Sequence, residues 1–354
     1  MRIKLAILEK DQSYLNRIVS VFNTKYADKI ETYSFTDMNI ALSTIESAKI
    51  DVFVVGGDFD IDFDKLPSKC GFAYFVESAS VETLNNQKSI CKFQKIELIY
   101  KQILSIYSEH AGNVSGYKME DDSTKILLFS SPSGGAGTST MAAASCLHFA
   151  SKGKKVLHLC LEKYGFSDLF FSGEGQFDMS DIIFGLKSTK TNLQLKLESC
   201  VKQDARGVYF YSKSKIALDM LELSTEDVLK LLTELKIFGG YDYLVVDTDF
   251  GLDKDSLRLF AQAYSIVWIG DGSENSNNKI TRAYKALTTM EQNAESPLTN
   301  RICLAYNKFS NKSSKTIGDI GIKDIGGAPR YEYASNKQII EQLCNMEMFE
   351  KMNG

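Results

Sequence analysis

Residues 127–144 read LLFSSPSGGAGTSTMAAA. A hydrophobic strand pattern runs into a glycine-rich turn at residues 134–137, and a helix of small residues is expected directly after it. A strand, a glycine-rich turn and a helix N-terminus form an anion site from backbone alone, because the first N–H groups of the helix are free and its dipole favours negative charge. The stretch predicts a phosphate-binding turn, with a plain strand-to-helix turn as the alternative.

The turn does not match the usual phosphate-binding loop, G-x-x-x-x-G-K-[ST], whose lysine reaches the phosphates and whose hydroxyl binds Mg²⁺. Pro132 stands at the first glycine position and Gly137 at the second. Thr138 replaces the lysine, and Ser139 keeps the hydroxyl. The backbone of such a site is therefore present, whereas its cation is missing.

A second segment supports the phosphate site. YDYLVVDTDFG (241–251) is an apolar strand pattern that ends in Asp247. Proteins with a phosphate-binding loop keep an aspartate at this kind of strand end to hold Mg²⁺. A capping or ion-paired aspartate is the simpler alternative.

Taken in order along the chain, these segments resemble the ParA/MinD family of deviant-Walker ATPases. The family loop K-G-G-x-G-K-[ST]-[ST] aligns with residues 133–140, its YDYIIIDTPPG with residues 241–251, and its VLLVDLDPQG with VLHLCLEKYG at 156–165. The late strand ICLAYNK and the loop GGAPRYEY match the family's base-binding segments. The resemblance covers residues 124–352. It implies ATP and Mg²⁺ as ligands, with Ser139 and, through water, Asp247 on the metal.

The nucleotide-binding positions that the resemblance implies are Ser133, Gly134, Gly135, Ala136, Gly137, Thr138, Ser139, Thr140, Asp247, Asn307, Lys308, Pro329, Arg330 and Tyr331.

The chain departs from the family at both loop lysines, since Ser133 and Thr138 stand in their places. The loss of cations beside a triphosphate removes stabilisation of the transition-state charge. The backbone, Ser139 and the helix dipole remain, so we expect ATP·Mg²⁺ binding with slow or negligible hydrolysis. Glu162 is a candidate for orienting water, and a surface or capping carboxylate is the alternative; Cys160 is interpreted as a core thiol.

The N-terminal block alternates strands and helices to residue 110 and resembles a response-regulator receiver. Glu9 and Asp11 follow its first strand as receiver acids do, and Lys92 matches the late lysine. Gly56, however, stands where the phosphorylated aspartate is expected, and Asp58 and Asp60 lie at the wrong offset. Because no carboxylate nucleophile is present, a docking or dimerisation role is favoured.

The alternation of apolar strands with helices predicts an α/β fold of two domains, each a mainly parallel sheet covered on both faces. The first is receiver-like, or flavodoxin-like, and spans 1–111. Residues 112–123 are polar and glycine-containing and predict a linker. The second, spanning 124–354, is ParA/MinD-like.

Composition argues against several other classes of protein. Net charge is −4 over 354 residues, so there is no strong sign of nucleic-acid binding. The seven cysteines are dispersed without a C-x-x-C pair, which disfavours a disulfide framework or a zinc site built on cysteine. Neither a signal peptide nor a membrane span is recognised, so a cytoplasmic protein is expected. The closing helix, expected at 335–352, has an apolar stripe but no strongly basic face, so membrane anchoring is a minor alternative.

A receiver-like domain without its acceptor, joined to a ParA/MinD-like domain without its lysines, is similar to the TadZ/CpaE-type proteins. The resemblance implies a dimeric, ATP-binding scaffold at a cell pole or at the inner-membrane machine of a Tad (Flp) pilus. Its partners would be a second copy and other pilus components, with membrane contact made through them. An active partition ATPase that binds DNA non-specifically, or a module without nucleotide, remains as an alternative.

Overall fold

The computed structural model describes residues 2–111, 124–292, 295–318 and 320–353. The predicted linker, 112–123, lies outside these residues. The described chain forms two compact α/β units, one of residues 1–116 and 184–200 and the other of residues 117–183 and 201–354. Both sheets are mainly parallel, which confirms the predicted fold class.

The first unit is built on a six-stranded sheet in the order β2-β1-β3-β4-β6-β5, in which only β5 and β6 pair antiparallel. Its strands are β1 (Ile3–Leu8), β2 (Ile30–Phe35), β3 (Val52–Gly56), β4 (Gly71–Val76), β5 (Thr83–Leu84) and β6 (Gln87–Cys91). Its helices are α1 (Gln12–Lys25), α2 (Met38–Ala48), α3 (Ile96–His110) and α6 (Leu193–Cys200). Buried apolar residues cover both faces of the sheet, as parallel strands require.

Helix α6 comes from sequence that was assigned to the second domain. It packs on α3, where Lys196 is 2% exposed and donates to Ser105 Oγ at 2.9 Å. Two residues further along the helix, Glu198 accepts from Tyr100 Oη at 3.2 Å and pairs with Lys29 at 2.7 Å. The domain bounds 1–111 and 124–354 remain a prediction. Helix α6 departs from them, because it belongs to the first compact unit.

The second unit has an eight-stranded sheet in the order β14-β13-β12-β7-β11-β8-β10-β9, in which only β9 and β10 pair antiparallel. Its strands are β7 (Lys125–Ser130), β8 (Val156–Cys160), β9 (Lys202–Gln203), β10 (Tyr209–Phe210), β11 (Tyr243–Asp247), β12 (Ser265–Gly270), β13 (Ile302–Phe309) and β14 (Lys323–Pro329). Its longer helices are α4 (Thr138–Ser151), α8 (Thr225–Phe238) and α10 (Glu274–Met290). Shorter ones are α5 (Met179–Lys187, which crosses the boundary between the units), α7 (Ala217–Leu221), α9 (Lys254–Phe260) and α11 (Asn336–Leu343).

Helix α4 is buried continuously from Met141 to Phe149, between the sheet and α11. Three consecutive alanines let the sheet approach closely, and Phe149 stacks on Tyr243 with ring centroids 4.2 Å apart. The N-terminus of α4 is thereby fixed at the carboxyl end of β7. Ligands of open α/β sheets bind at this edge, at the point where the strand order reverses.

The expected closing helix is broken after Leu343, and a 3₁₀ segment, Glu347–Asn353, follows it. The apolar stripe faces inward, since Ile340, Leu343 and Phe349 lie in the core of the second unit. Within the described ranges, no helix is both long and apolar enough to cross a bilayer.

Candidate functional site

The glycine-rich turn joins the end of β7 to the first residue of α4. Gly135 has φ +78° and Gly137 has φ +88°, a left-handed conformation that glycine adopts without a steric cost. Gly137 is the N-cap of α4 and supplies no capping side chain. The first-turn N–H groups of Thr138, Ser139 and Thr140 therefore have no partner within the helix. This end of α4 has the geometry of an anion site.

Hydrogen bonds of Ser131 hold the turn in place and connect it to a neighbouring strand. Ser131 Oγ accepts the N–H of Ser133 at 3.0 Å and donates to Ile269 of β12, whose carbonyl oxygen lies 2.6 Å away. Ser133 is buried, whereas Gly134 and Gly135 are exposed. Ser133, which stands in place of the first family lysine, is thus buried and hydrogen-bonded within the loop. Gly134 and Gly135 expose their backbone to solvent.

Two side chains from the end of β13 hold the other flank of the turn. Asn307 is buried and donates from Nδ2 to the carbonyl oxygen of Ala136 at 3.0 Å. Lys308 follows in a left-handed conformation with φ +57°, at an irregularity in the pairing of β13 with β14. Its Nζ reaches the carbonyl oxygen of Gly135 at 2.8 Å. An ammonium group therefore contacts a loop that has no lysine of its own.

An acidic cluster lies beside the first turn of α4. Asp247 ends β11, is fully buried, and has no hydrogen-bond partner for Oδ1 among the described residues. Burial and, to a smaller extent, the nearby carboxylates of Glu162 and Asp249 raise the pKa of this carboxyl to about 8. Ser139 donates its hydroxyl to Glu162 Oε2 at 3.2 Å. Burial also raises the pKa of Glu162.

A cavity of about 900 Å³ opens next to the turn, and its volume is in the range of ordinary ligand pockets. Gly135, Lys308, Pro329 and Arg330 line it. A polar loop that was not predicted from the sequence forms another wall, comprising Ser310, Asn311, Ser313, Ser314 and Thr316. Its signal was present as a run of small hydroxyl and amide residues directly after β13.

The predicted positions separate into four groups. Residues 133–140, Asp247 and Lys308 are brought together around the turn, and Pro329 and Arg330 lie on the cavity wall. Asn307 is directed at the loop backbone. Tyr331 packs against the hydrophobic core of the second unit.

The residues present fit a nucleotide with a divalent cation. The orphaned carboxylate oxygen of Asp247 is a buried acceptor that a hydrated cation would satisfy. The free N–H groups of α4 suit phosphate oxygens, and the cavity beside Gly135 provides the volume for a nucleoside.

The receiver-like unit has a different arrangement at its own sheet edge. Glu9 is buried after β1 and pairs with Lys92 at 2.7 Å. Gly56 ends β3, and a Cβ added there would lie 3.0 Å from Glu9 Oε2. The ion pair thus lies beside the position at which a receiver carries its phosphorylated aspartate.

Comparison with known proteins gives a family for the first 108 residues and a fold for about two thirds of the chain. Residues 1–108 match the family model described as the TadZ-like receiver domain. The solved structure of a ParA family ATPase from Chlorobium tepidum TLS matches with a TM-score of 0.51 and 18% identity, covering 66% of this chain and 97% of that one. At that identity the match shows the fold alone. Residues 1–108 thus belong to the family of TadZ-like receiver domains.

Two further solved structures are similar to this chain at lower scores. The MinC:MinD cell division complex of Aquifex aeolicus gives a TM-score of 0.49 at 16% identity, over 64% of this chain and 95% of that one. The septum site-determining protein MinD of Pyrococcus horikoshii OT3, complexed with Mg-ADP, gives 0.45 at 14% identity, over 62% and 94%. The search of curated proteins returned no match.

Proposed function

We propose that the second unit binds ATP with Mg²⁺ and that the protein acts as an ATP-dependent scaffold of a Tad (Flp) pilus machine. The observation that carries the nucleotide assignment is the pairing of two features. An uncapped helix N-terminus follows a left-handed glycine turn, and Asp247, whose Oδ1 has no hydrogen-bond partner among the described residues, lies at the end of the adjacent strand. The first suits phosphate oxygens and the second suits a hydrated cation.

Within this proposal each part of the chain has a separate task. Residues 134–140 bind phosphate oxygens through backbone N–H groups, and Ser139 and Asp247 hold the cation. Pro329 and Arg330 bound the space for the base, while Asn307 stabilises the loop through Ala136. The chain's own residues thus bind and orient the nucleotide. The bound Mg²⁺ supplies charge neutralisation at the phosphates.

Slow or negligible hydrolysis follows from the charges that are missing. Neither Ser133 nor Thr138 carries a cation, and the ammonium of Lys308 is engaged with the carbonyl oxygen of Gly135. Preorganised positive charge supplies most of the rate in phosphoryl transfer, so its loss lowers turnover more than binding. Glu162 is the candidate for orienting water, since it is half-buried beside Ser139.

The scaffold role rests on the family of the receiver-like unit and on its altered site. With Gly56 in place of the acceptor, that unit has no phosphorylation chemistry, and docking or dimerisation is left as its task. We propose a homodimer with one receiver-like domain at 1–111, a linker at 112–123 and an ATP-binding domain at 124–354. Its place is cytoplasmic, concentrated at a cell pole or at the pilus machine, with other pilus components as partners.

Isothermal titration of the full chain with Mg·ATP tests the nucleotide assignment. We expect saturable binding that Ser139→Ala and Asp247→Ala weaken when Mg²⁺ is present. Absence of binding at millimolar ligand would reject both the scaffold proposal and the partition-ATPase alternative. Turnover that DNA stimulates would favour the partition alternative instead.

A further inference from the structure

A cluster of one thiol and two carboxylates lies at the carboxyl ends of β8 and β11. Cys160, Glu162 and Asp247 each offer one ligand atom, and these three atoms all lie within 4.8 Å of one another. The strands fix the first and third of them, because Asp247 pairs with Cys160 in the parallel register of β11 and β8. Cys160 Sγ lies 3.9 Å from Asp247 Oδ2.

The electrostatics of the cluster call for a cation. Asp247 is fully buried, and its Oδ1 has no hydrogen-bond partner in the described part of the chain. No lysine or arginine in those ranges forms an ion pair with Asp247 or Glu162. A buried carboxyl group avoids an uncompensated charge either by keeping a proton or by binding a cation, and a metal ion at this cluster would take the place of that proton.

Glycine at position 165 keeps a further side chain out of the cluster. The chain turns back over it at Gly165, where an added Cβ would collide with Glu162 Oε2 and lie 2.8 Å from Cys160 Sγ. Ligand atoms around a tetrahedral zinc ion are about 3.3–3.8 Å apart, so closure from the observed spacing requires shifts of about 1 Å.

We propose that Cys160, Glu162 and Asp247 directly bind a zinc-class divalent cation, and that they do so without nucleotide. The sulfur ligand sets the preference. Mg²⁺ takes oxygen ligands and gives up its waters reluctantly, whereas thiolate sites select softer ions such as Zn²⁺ and Co²⁺. On binding, the thiol proton of Cys160 passes to solvent and the sulfur becomes a thiolate ligand.

This site shares Asp247 with the proposed Mg·ATP site but does not depend on ATP binding. Three protein ligands leave a fourth position open, as in metal sites that accept water or another small ligand. The identity of the residue at 160 therefore decides which cation the sheet edge retains. A carboxylate there would favour Mg²⁺, and the thiol favours zinc.

Cobalt titration of the full-length protein, without nucleotide, tests the proposal. Co²⁺ bound to a thiolate gives a sulfur-to-cobalt charge-transfer absorption in the near ultraviolet. We expect one equivalent of this absorption in the wild-type protein, its loss in Cys160→Ser, and its retention in Cys344→Ser. Cys344 is the matched control because it is also partly exposed but lies outside the cluster.

Two further measurements sharpen the result. Zn²⁺ should abolish the cobalt absorption at stoichiometric concentration, whereas millimolar Mg²⁺ should leave it unchanged. Glu162→Gln, on the half-buried ligand, should weaken cobalt affinity by about tenfold or more, since even changes outside the first ligand sphere cost that much. Thermal unfolding followed by the single tryptophan, Trp268, verifies that each variant is folded.

The outcomes separate this proposal from the nucleotide assignment. If the wild-type protein gives no charge-transfer absorption, or if Cys160→Ser keeps it, the metal site is rejected whatever ATP does. Equal competition by Mg²⁺ would also reject it, since the sulfur would then set no preference. An absorption that depends on Cys160 in a protein without ATP binding would support the metal site and reject only the proposed function.

Discussion

Lys92 and Glu9 form a buried ion pair, 2.7 Å long, at the carboxyl edge of the first sheet. The Glu9 side chain is 3% exposed and that of Lys92 is 12% exposed. Gly56 leaves room for the pair, because any side chain there would crowd the Glu9 carboxylate. In a receiver, the corresponding lysine would pair with the acceptor aspartate. In this unit Lys92 pairs with Glu9 instead.

Removal of one member of this pair should destabilise the first unit strongly. Lys92→Met leaves Glu9 buried without its counter-charge, which costs about 3–5 kcal/mol. Glu9→Gln combined with Lys92→Met should recover most of the loss, because Gln keeps an acceptor for the Asp11 N–H. Hydrogen exchange of the β1 and β3 amides measures the change locally. Lys65→Met, in an exposed pair with Asp62, is the control, and an equal effect there would contradict the prediction.

Gly137→Ala should damage both the fold of the loop and the proposed phosphate site. Its φ of +88° is strained for alanine, and the new Cβ would collide with Asn307 Nδ2. We expect a loss of about 1–3 kcal/mol in the free energy of unfolding, together with loss of Mg·ATP binding. Unfolding is followed by Trp268 fluorescence and binding by titration calorimetry.

Gly134→Ala is the matched control for this change. Gly134 lies in the same turn, has no positive φ, and an added Cβ would meet no atom within 4 Å. Its free energy of unfolding should change by less than about 0.5 kcal/mol. Equal destabilisation by the two substitutions would show that the turn is sensitive to any side chain and not to the geometry at Gly137.

Asp247 should make the second unit less stable as pH rises. Its pKa is raised from 3.8 to about 8 by burial and by neighbouring carboxylates, so between these values the folded chain holds a proton that the unfolded chain has released. The free energy of unfolding then falls as pH increases through this window, by at most about 1.4 kcal/mol per pH unit for one proton. Above the folded pKa the contribution levels off. The raised pKa of Glu162 acts in the same direction.

Asp247→Asn should flatten this pH dependence, and urea unfolding followed by Trp268 fluorescence at several pH values measures it. Asp253→Asn is the control, because hydrogen bonds from Ser256 lower the pKa of Asp253. In Asp253→Asn the free energy of unfolding should still fall as pH rises. If the free energy of unfolding of the wild-type protein rose steadily between pH 3.8 and about 8, the raised pKa of Asp247 would be contradicted.

The sequence could predict features that depend on local pattern. Buried parallel strands read as apolar runs, and the turn at residues 134–137 is encoded by the glycines that its positive φ values require. Asp247 was recognisable because it ends such a strand. Features that depend on distant contacts were not accessible. Helix α6 joins α3 through Lys196 and Glu198, which look like ordinary surface charges in the sequence.

Cys160 illustrates the same limit. The sequence placed it in an apolar run and favoured a core thiol, because its neighbour across the sheet lies 87 residues away. Only the strand register brings it to Asp247. The left-handed conformation of Lys308 was equally hidden, since the bulge that produces it depends on how β13 pairs with β14.

Thr138→Lys should restore the loop cation that the chain lacks. Thr138 is the first residue of α4, so a lysine there extends from the helix N-terminus beside the phosphate position. We expect Mg·ATP affinity to rise about tenfold, or hydrolysis to become measurable in a phosphate-release assay. Thr288→Lys on the exposed face of α10 adds the same charge elsewhere and should change neither. No change in either quantity would contradict the alignment of the loop.

Lys308→Ala tests whether the ammonium held at the loop substitutes in part for the missing lysines. Its Nζ contacts Gly135 at 2.8 Å, so its loss should lower Mg·ATP affinity by about tenfold through the lost charge and the loosened turn. Lys312→Ala removes an exposed lysine from the following loop and should have little effect. If Lys308 supplies charge, Thr138→Lys should rescue Lys308→Ala. If Lys308 only braces the turn, that rescue should fail while Trp268 fluorescence reports a less stable second unit.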